Sequence, residues 1–312
     1  MYFFLTNIFY FITRQINKIP QHFIEKNAAS IKAKYYVIRR GAGGQGFFSN
    51  YKWVMAEIIF AVQNEMIPVV DMKHWRSHYQ NGTYSNGWTI FFEQPFGVDL
   101  KEVYREKHNY ILSPLHEYRY EIADIFSREY GMPTSKAVTY LNPYIEKYMH
   151  IKPDIINPIR NRCHHIFTRY EYVLGIHYRG TDMRVEHDGH FISKNENEYV
   201  KQVGQHIEHL STKKTALFIA SDEMSVIKLF HESFPQLDII TNTSYRANDS
   251  NTEGIHNSKS HIRKNHRILL GKEVIEDAYF LSKCNSLVCG KSNVSAVAII
   301  WNNNQYDQLT IL

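Results

Sequence analysis

VLGIHYRGTD, residues Val173–Asp182, is the stretch from which the rest of the chain is best understood. Val173, Leu174, Gly175 and Ile176 read as the end of a buried strand. His177, Tyr178, Arg179, Gly180, Thr181 and Asp182 follow where that strand hands over to a loop. In open α/β sheets ligands bind at the carboxyl ends of strands. A His, an Arg and an Asp at such an end are costly to bury without partners. Arg179 offers a planar fork of donors suited to phosphate. His177, two residues earlier, faces the same side if the strand continues, and Gly180 permits a turn or a close approach. The plainer alternative is an ion pair between Arg179 and Asp182, since structural ion pairs also gather at strand ends.

Outward from this stretch, the second half has a steady rhythm. Tyr172–Ile176 reads as a strand, and Asn195–Leu210 as a helix with Asn195 as its cap. Thr215–Ala220 is the next strand, delivering Ser221, Asp222 and Glu223. Met224–Phe234 is a helix and Leu237–Thr241 a strand. Thr243–His266 is a polar excursion. Leu269–Lys283 is a helix, Asn285–Cys289 a strand ending at Gly290, Lys291, Ser292 and Asn293, and Val294–Trp301 a short helix. Strands alternating with helices imply a parallel, doubly wound sheet. Its polar residues fall at three strand ends, His177/Arg179/Asp182, Ser221/Asp222/Glu223 and Ser292/Asn293, which lie along one edge and can converge.

The first half opens with thirteen uncharged residues before Arg14. That is too short for a spanning helix, and it lacks a basic start and a small-residue cleavage site. It reads as a helix packed on the body or lying on a membrane surface. Tyr35–Arg40 is a strand candidate, Gly41–Gly46 a glycine loop, Phe47–Glu65 a helix and Ile67–Asp71 a buried strand, together a βαβ start. The glycines sit where a helix N-terminus receives phosphate. They match GxGxxG through Gly41, Gly43 and Gly46, with Asp71 25 residues beyond, so an NAD-type dinucleotide site is a rival reading. Arg39 and Arg40 before the glycines, and Phe47 and Phe48 after them, count against it. Met72–Leu100 is aromatic and punctuated by Gly, Asn and Ser, which suits an Ω-type surface loop or part of a sugar-binding wall. Residues 101–168 read as mainly helical, interrupted at Pro153 and Pro158, with a hinge near residues 150–170.

The 312 residues, 44% of them hydrophobic, are enough for two domains. A net charge of +5 is not the footprint of a nucleic-acid binder, but it suits an anionic small ligand or an anionic membrane surface. Cys163, Cys284 and Cys289 form no even framework, which points to a reducing, cytoplasmic compartment. The 17 histidines are scattered and show no metal-binding spacing.

HYRGTD, followed by IASDE and then EDAYFLSKCNSLVCGKSNVS, resembles the nucleotide-sugar domain of the superfamily of α1,6-fucosyltransferases, nodulation fucosyltransferases and protein O-fucosyltransferases. GGQGFFSNYKWVMAE followed by IPVVDM resembles the N-terminal opening of the same group. The resemblance runs from about residue 35 to 302 in the same order. It implies an α/β GT-B fold, with two Rossmann-like domains facing across a cleft. Residues 1–165 would form the acceptor-side domain and residues 166–312 the GDP-binding domain. It also implies GDP-fucose as donor, a glycan hydroxyl as acceptor, inversion at the sugar carbon, and no required metal or other cofactor.

Carried over by position, Arg179 would hold the β-phosphate and stabilise the leaving GDP. His177 would contact the diphosphate or ribose, Asp277 the guanine edge, and Ser292 and Asn293 phosphate oxygens. Asp222 would lie near the nucleoside, and Gly43, Gly44, Gly46 and Asn50 would face the donor from the other domain. Glycosyl transfer leaves negative charge on the diphosphate, which cationic and N–H donors must stabilise, and inversion needs a base. Relatives place Lys after the Asp of the HxRxTD block and a Glu a few residues on. Here Met183 follows Asp182, and Glu186, His187 and Asp188 lie beyond. Glu186 is the favoured base, with Asp182 as the alternative.

Overall fold

The structure is a computed structural model. It describes residues 33–40, 46–73, 77–80, 85–106, 109–114, 132–180, 195–210, 213–246 and 263–312. Two parallel sheets form its frame. In the first, β1 (Tyr35–Ile38) lies between β2 (Ile67–Val70) and β3 (Tyr110–Leu112). Tyr35 is in register with Ile67 on one side and Tyr110 on the other. The segment between β1 and β2 holds α1 (Phe47–Gln63), which is buried on nearly all faces. A helix apolar all round needs cover on both sides; the sheet supplies one and the second half of the chain the other.

That second half is a five-stranded sheet. β4 (Tyr172–Tyr178) is central, flanked by β5 (Thr215–Ser221) and then β6 (Asp238–Ile240) on one side, and by β7 (Ser286–Cys289) and then β8 (Gln308–Ile311) on the other. All pairs are parallel. Both faces are covered, so β4 and β5 are buried at every residue. Tyr172, Leu174, Ile176 and Tyr178 point to the core shared with α5 (Glu196–Glu208) and α6 (Met224–Ser233). On the opposite face Val173 joins the core built with α7 (His266–Lys283) and α8 (Asn293–Asn302). The strand order reverses between β4 and β7, the crevice where doubly wound sheets bind ligands.

α2 (Leu100–Arg105), capped by Asp99, connects β2 to β3, and in the chain between the two sheets come α3 (Ser135–Tyr148), capped by Thr134, and α4 (Pro153–Phe167). The expected interruption before Pro153 is present, since α3 ends at Tyr148 and α4 begins at Pro153, but the one expected at Pro158 is corrected. Pro153 occupies the first helical position, where its missing N–H is no loss, and Pro158 lies inside the same helix at the cost of one backbone bond. The Met72–Leu100 segment is not a surface loop: Tyr79, Trp88, Phe91 and Phe92 are buried in the main core. Two strands had no forecast, β3 and β8, and the helix expected from Leu269 begins at His266. The strand expected to end at Ile176 runs two residues further, because His177 and Tyr178 stay in register with Ala220 and Ser221.

The halves are packed together. Trp301 Nε1 donates to the Tyr51 hydroxyl at 3.2 Å, and its ring meets Phe48 edge-on. Gly271 in α7 lies under the Phe91 ring, where an added Cβ would be 2.4 Å from Cζ. Lys52, pushed down to about 8 by burial, donates to Asn293 Oδ1 at 3.1 Å. All three cysteines are buried and free. Among the described residues no helix is long and apolar enough to cross a membrane.

Candidate active site

A cleft with a cavity of about 110 Å³ opens at the carboxyl ends of β4, β5 and β6. His177 and Arg179 line it from β4, Asp222 from β5, Ser244 and Tyr245 from the segment after β6, and Glu273 and Asp277 from α7. Tyr79 reaches it from the first half. The structure therefore brings His177, Arg179, Asp222 and Asp277 together, although they are spread over a hundred residues of sequence.

Each is held locally. Asp222 Oδ1 accepts from the Gly180 backbone N–H at 2.9 Å, which fixes the turn after Arg179. The approach is close there: a Cβ at position 180 would lie 2.1 Å from the Glu223 carboxylate, which would have to move aside. His177 is buried, and its Nδ1 lies 2.6 Å from Ser295 Oγ. Ser295 spends its only proton on the Gly290 carbonyl at 2.7 Å, so it accepts from His177. The imidazole is then the Nδ1–H tautomer, with the Nε2 lone pair on the opposite edge. Burial, reinforced by the charge of Arg179, lowers its pKa to about 3, so it is neutral at any physiological pH.

Asp277 accepts from Asn242 Nδ2 at 2.8 Å. Desolvation raises its pKa to about 7, against the pull of Asn242 and Arg246. Beside it, Arg263 grips Glu273 with two bonds, of 2.6 and 2.8 Å, and Glu273 also accepts from the Tyr245 N–H. Ser244 Oγ is buried and makes no hydrogen bond among the described residues, an acceptor and donor left over on the cleft wall.

Other sequence candidates sit elsewhere. Ser292 caps α8 by accepting from Ser295 N–H and lies 3.3 Å from His177 Nδ1. Asn293 faces Lys52. Gly46 is the N-cap of α1. Asn50 accepts from Arg40 and lines a smaller aromatic cavity, which meets the main cleft at Tyr79. Asp71, the acid of the dinucleotide reading, is buried and accepts from the Tyr104 hydroxyl at 2.5 Å and from Lys73 N–H at 3.0 Å. Gly43, Gly44, Asp182 and Glu186 lie outside the described residues, as do residues 1–13. Among the described residues no group of three His, Cys, Asp or Glu could hold a metal ion. Ser295, Asn242, Ser244 and Tyr245 escaped sequence reasoning. Their one signal is position, just past the ends of β6 and β7.

Residues 123–301, more than half of the chain, match the family described as alpha-(1,6)-fucosyltransferase N- and catalytic domains. The fold is similar to that of the NodZ alpha-1,6-fucosyltransferase co-crystallized with GDP, at TM-score 0.50 and 16% identity over 85% of this chain and 91% of that one. The same enzyme soaked with GDP-fucose gives 0.50 and 16% over 86% and 92%; NodZ is from Bradyrhizobium. A mutant of Arabidopsis thaliana FUT1 in complex with GDP gives 0.51 and 11% over 96% and 77%. No curated protein sequence matches the chain. These likenesses show the α/β GT-B fold.

Proposed function

The chain belongs to the alpha-(1,6)-fucosyltransferase family, and from that premise we propose that it transfers fucose or a related sugar from a GDP-sugar to a hydroxyl of a glycan, with inversion at the sugar carbon. The observation that carries this reading is the convergence of Arg179 and Asp277 on one cleft at the carboxyl ends of β4, β5 and β6. A diphosphate and a guanine are the two ends of GDP. A guanidinium fork suits the first, and a carboxylate that accepts two N–H bonds suits the second.

In this reading Arg179 stabilises the charge that develops on the departing diphosphate, helped by N–H groups at the N-terminus of α8 rather than by a metal. Asp277 accepts from the guanine imino and amino groups. His177 offers a lone pair at Nε2, so it accepts a hydrogen bond from a ribose hydroxyl rather than contacting a phosphate oxygen. Asp222 holds the Arg179–Gly180 turn beside the nucleoside, and Ser244 Oγ gains a partner when the cleft fills. Ser292 and Asn293 border the phosphates from the α8 side. Gly43, Gly44, Gly46 and Asn50 face the donor from the first half. Glu186 is proposed as the base for the acceptor hydroxyl, with Asp182 as the alternative. The two domains are proposed to divide at residue 165, within α4. A cytoplasmic location, with residues 1–13 touching a membrane surface, completes the proposal.

The test is release of GDP from GDP-fucose in the presence and absence of glycan acceptors, for wild type and Arg179→Ala. Acceptor-dependent release that disappears in the variant is expected. Met183 stands where relatives of the HxRxTD group carry Lys, which favours one second reading, a binding module that has lost its chemistry. GDP binding with no release under any acceptor would establish that reading instead, and an active Arg179→Ala protein would sink the first.

A further inference from the structure

Asn242 is buried, two residues past the end of β6, and is gripped from three directions. Its Oδ1 accepts from Arg162 Nη2 of α4, its Nδ2 donates to Asp277 Oδ1 at 2.8 Å, and its backbone carbonyl accepts from Arg246 Nη2 at 2.7 Å. A guanidinium has only donors, so Arg162 must face the carbonyl end of the amide. The amide cannot flip without placing its NH₂ against a cation and its oxygen against a carboxylate. Arg162 is itself fixed by an ion pair of 3.0 Å with Glu276 and by packing over the Phe280 ring.

We infer that Asn242, oriented by Arg162, is a positioning residue for nucleotide recognition: it keeps Asp277 an ionised acceptor aimed into the cleft. This inference rests on the GDP-donor reading above. A protonated Asp277 would present an O–H where guanine presents N–H groups, and recognition would fail. Among the described residues, four groups bear on the charge of Asp277. Asn242 and Arg246, from the segment after β6, favour the carboxylate; Glu273 and Glu276, on its own helix, oppose it, and desolvation opposes it most. Arg162 acts twice, by turning the Asn242 amide and by pairing Glu276, which would otherwise add to the repulsion. The relay starts on α4, in the region joining the two sheets, and ends on the cleft wall.

The experiment is the affinity for GDP, by calorimetry from pH 6 to pH 9, of wild type, Asn242→Leu, Arg162→Gln and Asp277→Asn. The phosphate groups of GDP titrate alike in all four, so displacements between curves read the protein. Wild-type affinity is expected to rise about tenfold from pH 6 to pH 8, because a carboxyl of pKa about 7 becomes ionised over that range. In Asn242→Leu the rise moves up by about a pH unit, with about fivefold weaker binding at pH 7 that recovers by pH 9. Arg162→Gln, on a partly exposed helix face, moves the same way by about threefold at pH 7. It decides the matter if Asn242→Leu does not fold. Unshifted curves in the folded variants, with GDP still bound, overturn the proposal. If wild type binds GDP no better than UDP, and Asp277→Asn changes nothing, the donor reading is what fails.

Discussion

At the carboxyl ends of β1, β2 and β3, Arg39, Asp71 and Ser113 are tied into their own half. Arg39 Nη2 donates to the Ser113 carbonyl at 2.9 Å, its backbone N–H donates to Ser113 Oγ at 2.8 Å, and Asp71 accepts from Tyr104. At the ends of β4, β5 and β6 the same residue types, Arg179, Asp222 and Ser244, line an open cleft. Both sheets are parallel and both end in charge, but among the described residues the charged groups of the first are bonded within their own half, whereas those of the second line a cleft. Charged residues at strand ends therefore do not mark a site by themselves. They mark one where the architecture leaves room in front of them.

The largest effect should come from Arg179→Ala. It should lower acceptor-dependent GDP release at least 10²–10³-fold, the usual consequence of removing a donor aimed at developing charge. Asp277→Asn should weaken GDP binding by about 10–100-fold, since bonds to a charged group contribute about 1.5–3 kcal/mol each, and should leave only the pH dependence that comes from the phosphates of GDP.

The same substitution should stabilise the unliganded protein. Asp277 has a folded pKa of about 7 against 3.8 unfolded, so the folded state binds more protons in between and wild-type stability declines as pH rises through that window. The variant lacks this loss, and its advantage should grow to about 2–4 kcal/mol at pH 8, read by denaturant unfolding at pH 4.5 and 8. His177 has the opposite sign: its folded pKa is lowered from 6.5 to about 3. Its contribution is complete above 6.5 and is lost as pH falls, so His177→Gln should flatten the acid limb of stability.

Gly180→Ala should cost at most about 1 kcal/mol, because the Glu223 carboxylate in its way ends a flexible side chain, visible as a slightly lower unfolding temperature, and Glu223→Ala should restore part of it. The smallest effect on the ligand is expected from Asp71→Asn. GDP affinity should stay within about twofold, while stability falls by about 1 kcal/mol with the weakened Tyr104 bond. A large loss of GDP affinity there would break the comparison between the two sheets.

The parallel rhythm of the second half was legible because β4 and β5 are covered on both faces and appear as unbroken apolar runs. β3 and β8 were not. The first is three half-buried residues, and the second is an edge strand with Gln308 and Leu309 exposed, so neither carries a burial pattern. His177 ended the forecast strand because a polar residue looks like a boundary; in the fold Ser292 and Ser295 satisfy its ring inside the sheet. Arg179, Asp222 and Asp277 could be picked from strand ends and from the family resemblance. Asn242 could not, since its relation to Asp277, 35 residues on, and to Arg162, 80 residues back, exists only in three dimensions.

The most direct test of the central claim is thermal stabilisation by GDP and by NADH, on wild type and Arg179→Ala. A ligand that binds only the folded state at 100 times its dissociation constant adds ~2.7 kcal/mol, a readable shift. Stabilisation by GDP that is lost in Arg179→Ala, with none from NADH, is the predicted result. Stabilisation by NADH alone, unchanged in the variant, would place the nucleotide at the glycine loop of the first half and contradict the account.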